Sequence, residues 1–253
     1  MAENWDYTLQ APYYKYRPNY PQKVIDCIIE YGNLSLIDNF EVADIGAGTG
    51  NLSVLLAKYP CFIKAVEPTK AMSDIGKERT KNLKQITWID ADGYNTTLSD
   101  DSFDLVAFGS SFNVLDRNKA LHETGRILKK NGVFSCLWNH RDLNDGFQKE
   151  VEAIIKEIIP DYERGIRRQD QREVIENSNL FTDIMYMEMD FNFKQTLENY
   201  IKAWKSVKNK YWDLATPEGE KIFNRICDKI YAKLPDEFFV KYTCRTWNGK
   251  CKK

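Results

Sequence analysis

Residues 44–50 read Asp-Ile-Gly-Ala-Gly-Thr-Gly, an acid followed by three alternating glycines. Val42 and Ala43 lead into the acid, and an amphipathic run begins at Leu52. Glycine adopts left-handed backbone angles cheaply and lets a ligand approach the main chain with no Cβ in the way. A helix beginning beyond such a turn presents unpaired N–H groups. The stretch therefore has the chemistry of a nucleotide-type site at the end of a first buried strand. The dinucleotide fingerprint G-x-G-x-x-G needs glycine where Asn51 stands, and a P-loop needs Gly-Lys followed by Ser or Thr. Neither condition is met.

Further residues able to do chemistry stand at comparable places. Glu67 ends the apolar run 61–66, and a carboxylate there can accept both hydroxyls of a ribose. Asp92 follows the run 86–89, Gly109-Ser110-Ser111-Phe112-Asn113 follows 103–108, and His140 follows Trp138-Asn139. A histidine titrates in the range a proton acceptor needs, whereas His122 sits in the polar face of a helical stretch and carries no such expectation.

The elements that must position these residues follow from periodicity. Strands are expected at 40–45, 61–66, 86–89, 102–109 and 133–138. Helices are expected at 21–31, 51–58, 70–82 and 117–129, with Pro21 in a first turn, Thr69 and Asp116 as caps, and Lys-Lys-Asn-Gly closing the last. Five strand–helix cycles imply a doubly wound parallel sheet, and right-handed crossovers bring every strand's C-terminal end to one rim. After Trp138 the rhythm changes. Helices are expected at 147–159, 196–209 and 217–233, with a short one after Asp170 and Glu173. Strict alternation over 185–193 and a final run at 238–247 suggest an antiparallel pair at the sheet edge. The expectation is one α/β domain over 1–253, a Rossmann-like doubly wound seven-stranded sheet, mostly parallel with an antiparallel edge strand. Within it, 1–20 forms an aromatic lid without helical or strand period, 40–139 the ligand-binding core, 140–237 a helical cap insert with an edge strand, and 238–253 the last strand and tail.

Bulk composition narrows the partners. The 253 residues are 43% hydrophobic and 29% charged, with a net charge of −1, ordinary for a soluble globule. A nucleic-acid partner favours a basic excess. The one basic cluster, Arg164, Arg167, Arg168 and Arg172, is interleaved with Asp161, Glu163, Asp170 and Glu173. Six cysteines without a C-x-x-C pair, and no signal peptide, imply reduced thiols in a cytoplasmic protein. Two histidines and scattered cysteines give no metal-ligand spacing. No apolar run reaches the ~20 residues of a membrane span. A monomer or homodimer acting on a small molecule, with neither nucleic acid nor membrane, is the expectation.

Five stretches together carry a resemblance: D-I-G-A-G-T-G (44–50), A-V-E-P-T-K-A-M (65–72), D-A-D-G-Y (90–94), S-F-D-L-V-A-F-G-S-S-F (102–112) and R-I-L-K-K-N-G-V-F-S-C-L-W-N (126–139). With the Tyr- and Pro-rich run 13–21, they resemble the class I S-adenosylmethionine-dependent methyltransferases, in particular the type 11 family of small-molecule and quinone-biosynthesis C-methyltransferases. The resemblance covers most of the chain. It implies S-adenosyl-L-methionine as cofactor, cradled by Gly46, Ala47, Gly48 and Gly50, with Glu67 and Pro68 at the ribose. It places Ala91, Asp92 and Gly93 at the adenine, Asp92 accepting its amine, with Met72 packed on the ring and Ser110 alongside. Asp44 orients the turn or reaches the methionine amine through water, and Arg17 meets the cofactor carboxylate as the lid closes. Plainer readings stand beside these: Asp92 as a turn cap, Asp44 as a backbone acceptor, Met72 as core, and Glu67 and Arg17 as solvated surface charges.

A sulfonium brings its own activation, so positioning a nucleophile in line with S–CH₃ is a large part of the rate. A general base is needed only for a nucleophile that is protonated at working pH. Relatives often carry His-Trp after the fourth strand, where this chain has Asn113-Val114, which leaves Asn113 and His140 as the catalytic candidates. Acceptor walls are expected from Tyr13, Tyr14, Tyr16, Phe112, Trp138 and Trp204, with Tyr200, Tyr211 and Trp212 nearby. The implied function is SN2 methyl transfer to a small-molecule acceptor, a natural product or peptide among the possibilities. The alternatives are a non-catalytic cofactor-binding subunit or a peptide or protein methyltransferase. A nucleic-acid amino-methyltransferase lacks its [ND]-P-P-[YF] run here, and a nicotinamide oxidoreductase lacks its Tyr-x-x-x-Lys pair.

Overall fold

The computed structural model of the chain describes residues 6–163 and 168–253. Arg164 and Arg167 of the basic cluster lie outside the described residues, as do residues 1–5 of the expected lid. Seven strands form one sheet: β1 (Phe40–Ile45), β2 (Cys61–Val66), β3 (Ile86–Ile89), β4 (Phe103–Gly109), β5 (Leu128–Arg141), β6 (Phe181–Thr196) and β7 (Glu237–Cys251). Their order is β3-β2-β1-β4-β5-β7-β6. The first five pair in parallel, and β7 runs antiparallel to both β5 and β6. The antiparallel edge pair is thus as expected, with the reversed strand β7 lying inside it.

Burial on both faces explains why β1 reads as a continuous apolar run. Side chains alternate across a strand. Val42 therefore enters one core cluster with Ile63 and Leu105, while Ala43 and Ile45 enter the other with Val66, Val106 and Phe108. Helices α1 (Gln22–Tyr31), α2 (Ser53–Leu56), α3 (Lys70–Thr80) and α4 (Arg117–Ile127) accompany this half. Asp116 caps α4 by accepting from the Lys119 N–H, but Thr69 gives α3 no side-chain cap. The helix after the glycine turn is shorter than expected, because residues 49–52 stay in turns.

The remaining helices, α5 (Gly146–Ile158), α6 (Arg172–Asn177), α7 (Leu197–Lys205) and α8 (Pro217–Lys233), follow β5. A third core cluster joins α5, α7 and α8 through Ile154, Ile155, Tyr200, Trp204, Phe223 and Ile226. This is the cap. Strand β5 runs three residues past Trp138, where the apolar signal stops, because Asn139, His140 and Arg141 continue the ladder against Cys244, Thr243 and Tyr242. That extension carries the two basic side chains, His140 and Arg141, from the rim into the space beneath the cap. The N-terminal segment is not irregular throughout: Ala11–Tyr16 form a 3₁₀ helix. Among the described residues no helix is long and apolar enough to cross a membrane.

Candidate active site

The glycine turn is held from below and from the side. The Gly46 and Ala47 N–H groups both donate to the Val66 carbonyl, at 2.8 and 3.0 Å. Gly46 has φ +67°, and a Cβ there would sit 2.5 Å from the Ser111 Cβ, so no other residue fits without rearrangement. Asp44, fully buried, accepts a 2.6 Å hydrogen bond from the Ser53 hydroxyl through Oδ2, while its Oδ1 has no partner. Burial is the main reason its carboxyl is pushed up to about 7, and the Glu67 charge adds to the effect. Glu67 is 6% exposed. Its two oxygens accept the Gly48 and Thr69 N–H groups, each at 2.8 Å. Burial also raises the Glu67 carboxyl, against the pull of those two N–H groups.

Above this turn opens a cavity of about 520 Å³. Its floor is Asp44, the glycine turn, Glu67, Pro68 and Met72. Its middle is Gly93, Ser110, Asn113, Trp138 and His140, and its roof is Trp204, Tyr211 and Trp212 from the cap. Ser110 is held at φ +62°, an unusual conformation for a residue with a Cβ. Such backbone strain costs about 1–3 kcal/mol and gathers at functional sites. The Ser110 hydroxyl shares a 2.8 Å hydrogen bond with Tyr20. Asn113 accepts from the Trp138 indole N–H at 2.8 Å and so fixes that ring. The His140 ring lies parallel to Trp138 with centroids 6.5 Å apart. Among the described residues no three His, Cys, Asp or Glu side chains are placed to hold a metal ion.

Residues 43–136, which hold the floor of this cavity and part of its middle, match a family profile described as a methyltransferase domain. That stretch is similar to a methyltransferase domain. The chain is 32% identical over 133 residues to an uncharacterised methyltransferase of Schizosaccharomyces pombe, covering 52% of this chain and 51% of that protein. It is 30% identical over 123 residues to a ubiquinone/menaquinone biosynthesis C-methyltransferase of Zymomonas mobilis, covering 47% and 50%. The chain thus spans about half the length of the curated relatives it matches. Among solved structures, the YcgJ protein of Bacillus subtilis superposes with a TM-score of 0.56 at 17% identity, covering 89% of this chain and 98% of that one. Phosphoethanolamine N-methyltransferase 2 of Haemonchus contortus, solved with S-adenosylhomocysteine, superposes at 0.51 and 16% identity, covering 92% and 58%. At such identity these two establish the fold.

The cavity brings together most residues that sequence reasoning singled out. Asp44, Gly46, Ala47, Gly48, Glu67, Pro68, Met72, Gly93, Ser110, Asn113, Trp138, His140, Tyr14, Arg17 and Trp204 all line the cavity. Gly50, at φ +78°, shapes the turn without lining it. Five residues are placed elsewhere. Phe112 is wholly buried, its ring packed edge-on to Phe108 and Phe134 at 5.3 and 5.4 Å, so it belongs to the core beneath the sheet rim. Tyr16 faces a separate cleft of about 240 Å³ beside β6. Tyr13 stands outside the cavity with the Lys205 ammonium over its ring. Ala91 and Asp92 do not reach the wall. Asp92 instead caps its own turn, accepting the Tyr94 and Asn95 N–H groups at 2.7 and 2.9 Å.

Arg17 lines the cavity, but its Nε and one terminal nitrogen are spent on Ser206 of the cap, at 2.7 Å to Oγ and 2.9 Å to the carbonyl. It therefore straps the N-terminal segment shut. Asn139 reinforces the strap by donating to the Pro18 and Asn19 carbonyls, and Gln195 donates to that of Tyr16. Two hydrogen bonds of about 1 kcal/mol each make opening roughly ten-fold harder or more. Arg17→Ala is expected to raise amide hydrogen exchange across residues 7–20 by that factor. Identical exchange in the mutant would show that the segment is held by its other contacts. Arg141, Tyr20, Ser53 and Thr69 were missed as site residues. Ser53 and Thr69 act through local hydroxyl and backbone hydrogen bonds to Asp44 and Glu67, which no sequence pattern marks. Arg141 carried a signal in its rim position directly after His140.

Proposed function

We propose that the protein transfers a methyl group from S-adenosyl-L-methionine to a small-molecule acceptor. The observation that carries the reading is the unpartnered buried Oδ1 of Asp44, set beside Glu67 and the glycine turn in a cavity shared with the aromatic cap. A carboxylate oxygen buried without a partner is costly, and a cationic amine is the ligand chemistry that offsets it. Glu67 keeps lone pairs on both oxygens for a ribose diol after accepting its two N–H groups. The cofactor, when bound, supplies a methyl group on an already activated sulfonium.

The chain's own residues do the rest. Asp44 and Glu67 hold the amine and the ribose, and Met72 packs beside the turn. Asn113 orients Trp138, which presents an apolar face to the acceptor. His140, at the cavity wall, takes the proton when the nucleophile carries one. The strap of Arg17 and Tyr20 closes the cavity against water, as lids over reactive sites do. The volume of about 520 Å³ is that of a small-molecule pocket, and the near-zero net charge disfavours nucleic acid. The resemblance to a quinone-biosynthesis C-methyltransferase and to a phosphoethanolamine N-methyltransferase supports the reaction class but spans different acceptors.

Titration calorimetry with S-adenosylmethionine, S-adenosylhomocysteine and NADH tests the reading. Binding of both sulfur compounds and not NADH is expected, followed by transfer of labelled methyl onto small molecules of the source extract. Binding of NADH alone would overturn it. Binding without transfer would leave a cofactor-binding subunit.

A further inference from the structure

Arg141 is the last residue of β5. Its side chain reaches the cavity wall, with the guanidinium 4.4 Å from the Trp204 ring centroid and 5.1 Å from that of Tyr200. Its Nε is sealed from solvent and has no hydrogen-bond partner. Among the described residues no carboxylate pairs with it, although arginines elsewhere, such as Arg126 with Glu123, are paired. The groups around it are aromatic or cationic: Tyr162 and Tyr242 line the same wall, the Tyr242 side chain sharing a hydrogen bond with the guanidinium, Arg168 donates to the Arg141 carbonyl, and Lys208 and Lys210 face the cavity. Glu163 is the acid on this side, while Asp44 and Glu67 stand at the opposite end under the glycine turn. The cavity is thus polarised, acids at the floor and cations beneath the cap.

A guanidinium turned into a cavity with an unsatisfied donor is expensive. Aromatic faces recover about 0.5–2 kcal/mol through cation–π attraction. The Tyr242 side chain takes one hydrogen bond from the guanidinium, but the ring faces take none in its plane, where the unpartnered Nε donor points. The planar fork of an arginine matches the two oxygens of a carboxylate. The geometry points to Arg141 as the anchor for a methyl acceptor that carries a carboxylate on an apolar or aromatic body, the body lying against Trp204 and Trp212. This specificity rests on the methyl-transfer reading of the same cavity. Arg141 here acts in recognition, away from the floor where the cofactor residues stand.

Quenching of tryptophan fluorescence reads occupancy, since Trp138, Trp204 and Trp212 line the cavity. The probes are benzoate, trans-cinnamate and octanoate, each against its primary amide, with and without S-adenosylhomocysteine. At least one acid is expected to bind ten-fold or more tightly than its amide. Arg141→Gln should shrink that preference below two-fold, and Arg141→Lys should retain part of it. S-adenosylhomocysteine affinity should stay within two-fold in both variants, which also certifies that they fold. Equal binding of acids and amides by the native protein, or a preference surviving in Arg141→Gln, overturns the assignment. An acid preference lost in Arg141→Gln, in a native protein that binds no S-adenosyl compound, supports the carboxylate site and overturns the methyl-transfer reading alone.

Discussion

Glu67→Ala is expected to weaken S-adenosylmethionine binding by about ten-fold or more. A charged hydrogen bond is worth roughly 1.5–3 kcal/mol, and each 1.4 kcal/mol is a factor of ten in affinity. The loss has two sources that the geometry separates. Glu67 already accepts the Gly48 and Thr69 N–H groups and a hydrogen bond from the Thr69 side chain, so truncation leaves these donors without their partner and loosens the glycine turn. Any diol contact is lost besides. Glu67→Gln distinguishes them, because the amide oxygen still accepts one N–H while its NH₂ meets the other group as a donor. If the ribose contact matters, the native protein should prefer adenosine to 2′,3′-dideoxyadenosine, and that preference should shrink in Glu67→Gln in step with the affinity loss. Unchanged cofactor affinity in Glu67→Ala would remove Glu67 from the ribose.

The parts of the fold legible in the chain were those with one-dimensional causes. Val42–Ile45 and Cys61–Val66 read as strands because a parallel sheet covered on both faces makes apolar runs. Asp44 and Glu67 were legible because an acid at the C-terminal end of such a run falls on the rim where ligands bind. Alternation over 185–193 marked β6, though the paired strand extends to Phe181 and Thr196. What was hidden depends on side-chain direction. Phe112 and Trp138 both follow strands as aromatics, but Phe112 turns down onto Phe108 and Phe134. Trp138 is held at the cavity by Asn113. Tyr13, Tyr14 and Tyr16 are near neighbours on one 3₁₀ turn, and only Tyr14 lines the cavity. Asp92 beside Gly93 was equally compatible with a ligand and with a turn, and its hydrogen bonds to Tyr94 and Asn95 serve the turn. Arg17 was expected at the cofactor; its partner Ser206, 189 positions away, comes from the cap, whose placement no local pattern gives.

Asp44→Asn is expected to make the ligand-free protein more stable at pH 8 while weakening and flattening cofactor binding. Burial pushes the Asp44 carboxyl up to about 7 from an ordinary value of 3.8. The folded chain therefore holds a proton that the unfolded chain releases between those two values. The stability contributed by that proton is fully present below about pH 3.8 and is lost as pH rises through about 7. For a fully buried group the loss is on the order of a few kcal/mol. An asparagine still accepts from Ser53 but never has to ionise, so the difference between the thermal midpoints of the two proteins should be smallest below about pH 4, grow through pH 5 to 7, and reach several degrees at pH 8. Ligand binding should show the opposite sign. A cationic amine favours the ionised carboxylate, so native affinity for S-adenosylmethionine should climb from pH 5.5 to 7.5, approaching ten-fold per pH unit at the acid end. Above that range a free α-amino group, near 8, begins to lose its own charge. Glu67, also raised by burial, contributes some slope, and what Asp44→Asn removes isolates the Asp44 share. A mutant with native affinity and native slope would exclude Asp44 as the acceptor of the amine. A mutant no more stable than the native protein at pH 8 would show that the buried carboxylate finds compensation in the ligand-free fold.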